Sequence, residues 1–264
     1  PSFVCPLPPF DAPASYFDSS RDMDLHEPAR GDWDDEAATQ RDGMVLDSAH
    51  GCRDAELRRE AMAGYYACIT HLDHQIGRLI TALENDETYH DTVIIFTADH
   101  GEMLFDHSLF RKVLPYEGSA RIPLIIHVGK TVAPRVVCTS DSAAEGEDSM
   151  PPMRAQCVGE LTAGEAISRP YVHGEHSRDM EQSNQYIVTP HDKYIWFTQT
   201  GREQYFDLDA DPREEHDLIA DEAHANRIAQ LRAALVSELK GRPEGYVANG
   251  KLVVGQKPAT MLYQ

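Results

Sequence analysis

Residues 54–128 constrain the fold more than any other stretch, because a long helical period runs directly into two short apolar runs. Leu57, Ala61, Tyr65, Ile69, Leu72, Ile76, Leu79 and Leu83 recur in steps of three and four. That spacing lays one apolar stripe along a helix over residues 54–84, and Asp54 can cap its first turn. Thr92-Val93-Ile94-Ile95-Phe96 follows, a continuous β-branched and aromatic run suited to the centre of a parallel sheet. Ile122-Pro123-Leu124-Ile125-Ile126-His127-Val128 is a second such run. Helix, strand, loop and strand predict a doubly wound α/β layer, whose ligands gather at the carboxyl ends of its strands.

The chemistry-bearing residues stand where that rule puts them. Asp99-His100-Gly101 comes directly after the strand, and Lys112 lies thirteen positions beyond Asp99. A carboxylate and an imidazole at a strand end can share one divalent ion. Oxygen donors favour Ca²⁺ or Mg²⁺, while the imidazole tilts the choice toward Mn²⁺, Fe²⁺ or Zn²⁺. A lysine nearby is a compact point charge for an oxyanion. The bland alternative is a turn aspartate, a surface histidine and a solvated lysine. Glu102, Asp106 and His107 crowd the same loop; they could orient the ligands from behind, and each alone reads rather as a group that stabilises the loop. Glu117 and Arg121 read as structural, paired with each other or with the strand-end loop.

The flanking regions are less patterned. Residues 1–50 are rich in Pro, Asp and Ala and predict an extended, looping segment, with Asp34-Asp35-Glu36 solvated. Residues 130–168 are polar, without apolar period, and predict a solvated loop. His173-Gly174-Glu175-His176 is a polar cluster whose two histidines, at i and i+3, could face one substrate pocket. Short strands are expected at 186–188, 193–198 and 203–208, separated by turn sequences. A helix over 222–240 carries Ile228, Leu231, Leu235 and Leu239 on one face. Together these predict a small antiparallel sheet with a covering helix.

At 264 residues with 41% hydrophobic content, the chain can bury a real core. The formal net charge of -20 argues against nucleic acid and anionic membranes as partners. It also means that an anionic substrate needs strong local positive charge. No stretch approaches the ~20 apolar residues of a membrane-spanning helix. Cys5, Cys52, Cys68, Cys138 and Cys157 are odd in number and lack C-x-x-C spacing, so neither a zinc site nor a disulfide framework is expected. A reduced, cytoplasmic compartment fits better. The start, Pro1-Ser2-Phe3-Val4, reads as a piece beginning mid-protein.

The stretch Thr97-Ala98-Asp99-His100-Gly101-Glu102-Met103, with Lys112 and Tyr116-Glu117-Gly118-Ser119-Ala120-Arg121-Ile122-Pro123, resembles the sulfatase family of alkaline-phosphatase-like hydrolases. The likeness is to bacterial arylsulfatase and phosphonate-monoester-hydrolase types, which read D-H-G where other sulfatases read D-N-G. Tyr205-Phe206-Asp207-Leu208, Asp211-Pro212 and Asp217-Leu218 resemble the signature of the family's C-terminal subdomain. The resemblance covers residues 1–129 and 170–255, about the C-terminal half of a complete member. It implies part of a doubly wound catalytic α/β domain over 1–180 and an α+β subdomain over 181–264. It further implies one divalent metal, Ca²⁺ or Mn²⁺, held by Asp99 and His100. Lys112 would bind the sulfate oxygens and act in catalysis, and a small sulfate, phosphate or phosphonate ester would be the substrate.

Three departures accompany the likeness. The family's nucleophile, a formylglycine made from C-x-P-x-R or S-x-P-x-R, has no counterpart string here, and Cys5-Pro6-Leu7-Pro8-Pro9 has the wrong order. The family's first metal aspartates, in D-D-x-G, have none either. Pro6-Leu7-Pro8-Pro9-Phe10-Asp11-Ala12-Pro13 resembles P-H-x-P-F-D-x-P with leucine in place of histidine, and leucine cannot exchange a proton. The reading is therefore a metal-dependent sulfuric ester hydrolase, incomplete and inactive as this chain. The alternatives are a phosphonate or phosphate ester hydrolase of the same superfamily, or a non-catalytic remnant.

Overall fold

The computed structural model describes residues 1–34, 54–112, 114–127, 170–176 and 183–258 in full, and the backbone of 128 and 135–140. The architecture is mixed α/β. Helix α1 (Ala14–Arg21) precedes the long helix α2 (Ala55–Asn85). Strands β1 (Val93–Thr97), β2 (Arg121–Val128) and β3 (Arg135–Ser140) form one sheet, with the short helix α3 (Glu117–Ala120) leading into β2. Strands β4 (Val172–His176), β5 (Asn184–Val188), β6 (Asp192–Phe197) and β7 (Glu203–Asp207) form a second sheet in sequence order. Helix α4 (Ala225–Leu239) and the ribbon β8 (Val247–Ala248) and β9 (Lys251–Leu252) complete the described chain.

α2 begins where its cap predicts. The amides of Glu56 and Leu57 donate to Asp54 Oδ1 at 2.9 and 3.1 Å. Its buried residues, however, are Met62, Ala63, Gly64, Ala67 and Cys68, while Leu57, Ile69 and Leu79 of the expected stripe are exposed. The reason is close approach. Small side chains let the N-terminal segment lie against the helix, and a Cβ on Gly64 would stand 3.0 Å from the Phe10 carbonyl oxygen. Phe10 meets Tyr65 and Phe110 edge to face at 5.4 and 5.7 Å. Part of the segment expected to be extended is thus helix α1, packed on α2.

The expectation of a parallel setting for 93–97 fails among the described residues. β1 pairs antiparallel with β2, from Val93 opposite Val128 to Thr97 opposite Leu124, and it forms the sheet edge. A continuous apolar run signals burial on both faces but carries no information about strand direction. β3 lies within the stretch read as a loop, pairing antiparallel with β2; the remainder of 141–168 lies outside the described residues.

Among the described residues, the second sheet is the best-buried part. Every residue of β5 and β6 is buried, because both sheet faces are covered. One face packs Ile187, Tyr194, Trp196 and Tyr205 against Ile228, Leu231, Leu235 and Leu239 of α4. The other packs Tyr186, Val188, Ile195 and Phe206 against Met103, Leu109, Tyr116 and Ala120. The loop that follows β1 is therefore built onto the second sheet. The Tyr205–Leu218 motif is turn chemistry. Asp207 Oδ1 accepts the amides of Asp209 and Ala210, and Asp217 Oδ1 accepts those of Tyr205 and Ile219, all at 3.1 Å.

Candidate active site

Asp99 and His100 leave the carboxyl end of β1 side by side. The His100 amide donates to Asp99 Oδ1 at 3.0 Å. His100 Nδ1 lies 2.7 Å from the Gly101 carbonyl oxygen, so the tautomer protonated at Nδ1 satisfies that carbonyl and leaves a lone pair on Nε2. Nε2 stands 3.5 Å from Asp99 Oδ2. The Asp99 side chain is 71% exposed and that of His100 21% exposed. The pair is open on one side and anchored on the other.

Gly101 explains the anchor. Its amide donates to the Ser119 carbonyl at 2.7 Å, and a Cβ there would fall 2.2 Å from the Gly118 carbonyl oxygen. Only glycine lets the turn close on α3 at that distance. Beyond it the chain doubles back. The Met103 amide donates to the Arg111 carbonyl at 2.9 Å, and the Glu102 carboxylate accepts the amides of Arg111 and, at 3.3 Å, Leu104. This closure returns Lys112, half-buried, to the neighbourhood of Glu102. Burial pushes the Glu102 carboxyl up from its ordinary value; the Arg111 and Leu104 amides and the Arg111 and Lys112 charges oppose it.

The rest of the loop is held by buried polar contacts. Asp106 Oδ1 accepts the Ala29 amide at 2.6 Å. His107 is buried, with Nδ1 3.0 Å from Asp34 Oδ1 and Nε2 2.9 Å from the Arg213 carbonyl oxygen. Trp33 stacks on both His107 and Tyr116, at 4.4 and 4.5 Å. Asp34 is thus not the solvated residue its sequence context predicts: its side chain is 11% exposed, because it is the partner of a buried imidazole. Glu117 does lie 3.9 Å from Arg121, but its tighter contact is 2.7 Å, to Lys193 Nζ.

Lys193 is the residue that sequence reasoning passed over. It lies in β6, fully buried, with its ammonium 2.7 Å from Glu117 Oε1 and 2.8 Å from Glu214 Oε1 and donating to the Pro115 carbonyl at 2.8 Å. Glu214 Oε2 in turn accepts the Glu117 amide at 2.6 Å. The strand Asp192-Lys193-Tyr194-Ile195 gave no clue to it, since a solvent-facing lysine is the ordinary outcome there.

His173 and His176 do not converge. Both lie in β4, and residues three apart on a strand point to opposite faces. His173 Nε2 is 2.8 Å from Gln185 Oε1, and the Gln185 amide donates to Glu175 on that same face at 2.9 Å. The i, i+3 argument for a shared pocket applies to helices, and this segment is not one.

The matched family model is Sulfatase, over residues 8–150. An arylsulfatase of Clostridium perfringens (strain 13 / Type A) is 41% identical over 98% of this chain. The chain belongs to the sulfatase family. A choline-sulfatase of Rhizobium meliloti is 29% identical over 88% of the chain. This sulfatase-family chain spans about half the length of the curated relatives it matches, 57% of the first and 49% of the second. In fold it is similar to the phosphonate monoester hydrolases of Silicibacter pomeroyi and Agrobacterium radiobacter. The TM-scores are 0.67 and 0.64 at 24% and 22% identity, over 89% of this chain and 54% and 55% of theirs.

The family uses a divalent metal. Among the described residues, no three His, Cys, Asp or Glu side chains gather as a cage. Asp99 Oδ2 and His100 Nε2 are suitable in kind, and 3.5 Å apart they can both touch one cation. They supply two donors of the six or more that a hard cation takes.

Proposed function

We propose that this chain carries the strand-end part of a sulfuric ester hydrolase site. Asp99 and His100 would hold a divalent metal together with further donors, and Lys112 would bind the oxyanion of the ester. The observation that carries this reading is the fixed His100 imidazole, with Nδ1 on the Gly101 carbonyl and Nε2 facing Asp99 Oδ2. A turn aspartate and a surface histidine need no such arrangement. When bound, the metal would supply polarisation of a sulfate or phosphate oxygen. The protein's own part is orientation: Gly101 seats the turn on α3, and the Glu102–Arg111 closure would bring Lys112 toward it. Lys112 then offers charge to an oxyanion that the acidic surface otherwise repels.

The reading includes inactivity of this chain by itself. No residue string in it matches the family's formylglycine precursor, and Leu7 stands where a proton-exchanging histidine is expected. Without a nucleophile, double displacement cannot begin. An assay of the purified chain with aryl sulfates and added Mn²⁺ or Ca²⁺ should show background rates. Turnover that disappears in Asp99→Ala or Lys112→Ala would contradict the inactivity and imply a different nucleophile. A second reading, a phosphonate or phosphate ester as substrate, is favoured by the fold likeness to phosphonate monoester hydrolases. Assaying phosphonate monoesters in parallel separates the two.

A further inference from the structure

His107 joins three segments that are distant along the chain. Its amide donates to the Ala29 carbonyl at 2.9 Å, and the Ala29 amide donates back to Asp106 Oδ1 at 2.6 Å. Its ring lies between Asp34 Oδ1, 3.0 Å from Nδ1, and the Arg213 carbonyl oxygen, 2.9 Å from Nε2. The first and third segments are also tied directly. The Trp33 indole donates to the Glu214 carbonyl at 2.6 Å, and the Asp32 amide to the Glu215 carbonyl at 2.8 Å. The loop that carries His107 has an unfavourable backbone. Leu104, Phe105, His107, Ser108 and Arg111 have φ between 44° and 78°, a region that L side chains rarely adopt, and no glycine stands among residues 104–111. Such a loop keeps its shape only while its contacts hold it, and Lys112 follows directly.

The two acceptors around the ring constrain its hydrogens. A carbonyl oxygen only accepts, and so does an ionised carboxylate. A neutral imidazole has one N–H, so it satisfies one of the two and turns a lone pair on the other. Asp34 adds a charge. Its side chain is largely buried; among the described residues Oδ2 has no hydrogen-bond partner, and Arg30 Nη1 stands 4.0 Å from it. A carboxylate so placed needs a cation at close range, and the His107 ring is nearer than Arg30. Trp33, stacked on that ring at 4.4 Å, presents a π face that also favours a cation. The remaining polar neighbours are engaged elsewhere. Asp106 and the Arg213 guanidinium face each other at 3.6 Å, and the Tyr116 hydroxyl donates to Gln204.

We propose that His107 is the positioning residue of the Lys112 loop: an imidazolium that donates from both ring nitrogens, to Asp34 and to the Arg213 carbonyl, and so holds residues 104–111 in their left-handed backbone. The inference rests on the reading of Lys112 as the group that meets the oxyanion, and it gives that residue a fixed mount. Replacing Asp34 by asparagine separates charge from contact. In Asp34→Asn the side-chain amide can donate to a lone pair on Nδ1, while Nε2–H keeps the Arg213 carbonyl. Both contacts then survive with a neutral ring.

The test uses the full chain with nitrogen-15-labelled histidine at pH 7. The His107 ring signals, assigned through their contact with the Trp33 ring, should show hydrogen on both nitrogens in the parent and on Nε2 alone in Asp34→Asn. Trypsin reads the loop, because its closure shields the bonds after Arg111 and Lys112. Cleavage there should quicken about tenfold in His107→Ala, as loss of a buried charged hydrogen bond raises the open population, and should stay near the parent rate in Asp34→Asn. A single N–H on the parent ring, or two in Asp34→Asn, would overturn the proposal. So would cleavage that is unchanged in His107→Ala or that quickens as much in Asp34→Asn. If His107→Ala fails to fold, the ring signals of the parent and of Asp34→Asn still decide. None of these readouts involves a metal or an ester, so they stand apart from the cation assignment at Asp99 and His100.

Discussion

Lys193 in β6 and Glu117 at the start of α3 meet at 2.7 Å, joining the second sheet to the short helix against which the Asp99–Gly101 turn is seated. Glu214 completes the contact at 2.8 Å. Lys193→Met would leave two carboxylates facing each other with no cation. Such losses cost ~3–5 kcal/mol, and denaturant unfolding should show a fall of that order. Replacing Lys193 and Glu214 together by apolar residues should recover part of it, because less charge is stranded.

The same contact has a pH signature. Burial alone would pull the Lys193 ammonium down, but the Glu214 and Glu117 carboxylates more than reverse this and hold it above the ordinary lysine value. A raised folded value means the contribution is complete below about 10.5 and is lost as pH rises through the folded value. Thermal midpoints measured from pH 8 upward should decline less steeply in Lys193→Met than in the parent chain.

Asp192 gives the opposite limb. Burial raises its carboxyl, but the Arg227 guanidinium, with Thr189 and Tyr205, outweighs burial and holds it below the ordinary aspartate value. Arg227 Nε and Nη2 reach its two oxygens at 2.6 and 3.0 Å. Its contribution is therefore present above about 3.8 and lost as pH falls through the folded value. Asp192→Asn should lower the midpoint at pH 6 and flatten the acid limb below pH 4.

The sequence and the structure agree where the physics is local. The Asp54 cap, the antiparallel strands β5 to β7 and the buried face Ile228, Leu231, Leu235, Leu239 of α4 all follow from spacing and turn residues. The adjacency of Asp99 and His100 at a strand end was legible for the same reason. What escaped depended on partners distant along the chain. Met62, Ala67 and Cys68 are buried in α2 because residues 5–21 lie there, and no periodicity announces that. Lys193 and Asp34 look like surface charges until residues 214 and 107 are placed beside them. The β1–β2 direction escaped because apolar content is the same in parallel and antiparallel strands.

This contrast sets a further expectation. Leu79 of α2 is 42% exposed, whereas Leu235 of α4 is fully buried in the second sheet's core. Leu235→Ala should cost ~2–5 kcal/mol. Leu79→Ala should cost about 1 kcal/mol or less, since little area leaves water there. Equal losses in the two variants, measured by urea unfolding, would mean that the α2 stripe has a partner in solution.

Gly101 tests the seating of the turn. The Cβ of Gly101→Ala would have to displace the Gly118 backbone, a crowding that costs ~1–3 kcal/mol. The His100 imidazole should lose its fixed setting with it, visible as changed chemical shifts of its ring protons by NMR.

Asp99 Oδ2 and His100 Nε2 are proposed as two donors for one cation. Calorimetric titration of the chain with Mn²⁺ tests this most directly. Two donors give weak binding, in the range of ~10⁻⁴–10⁻³ M, and Asp99→Ala or His100→Ala should each abolish it. Binding that is tight, or that persists unchanged in Asp99→Ala, would contradict the assignment.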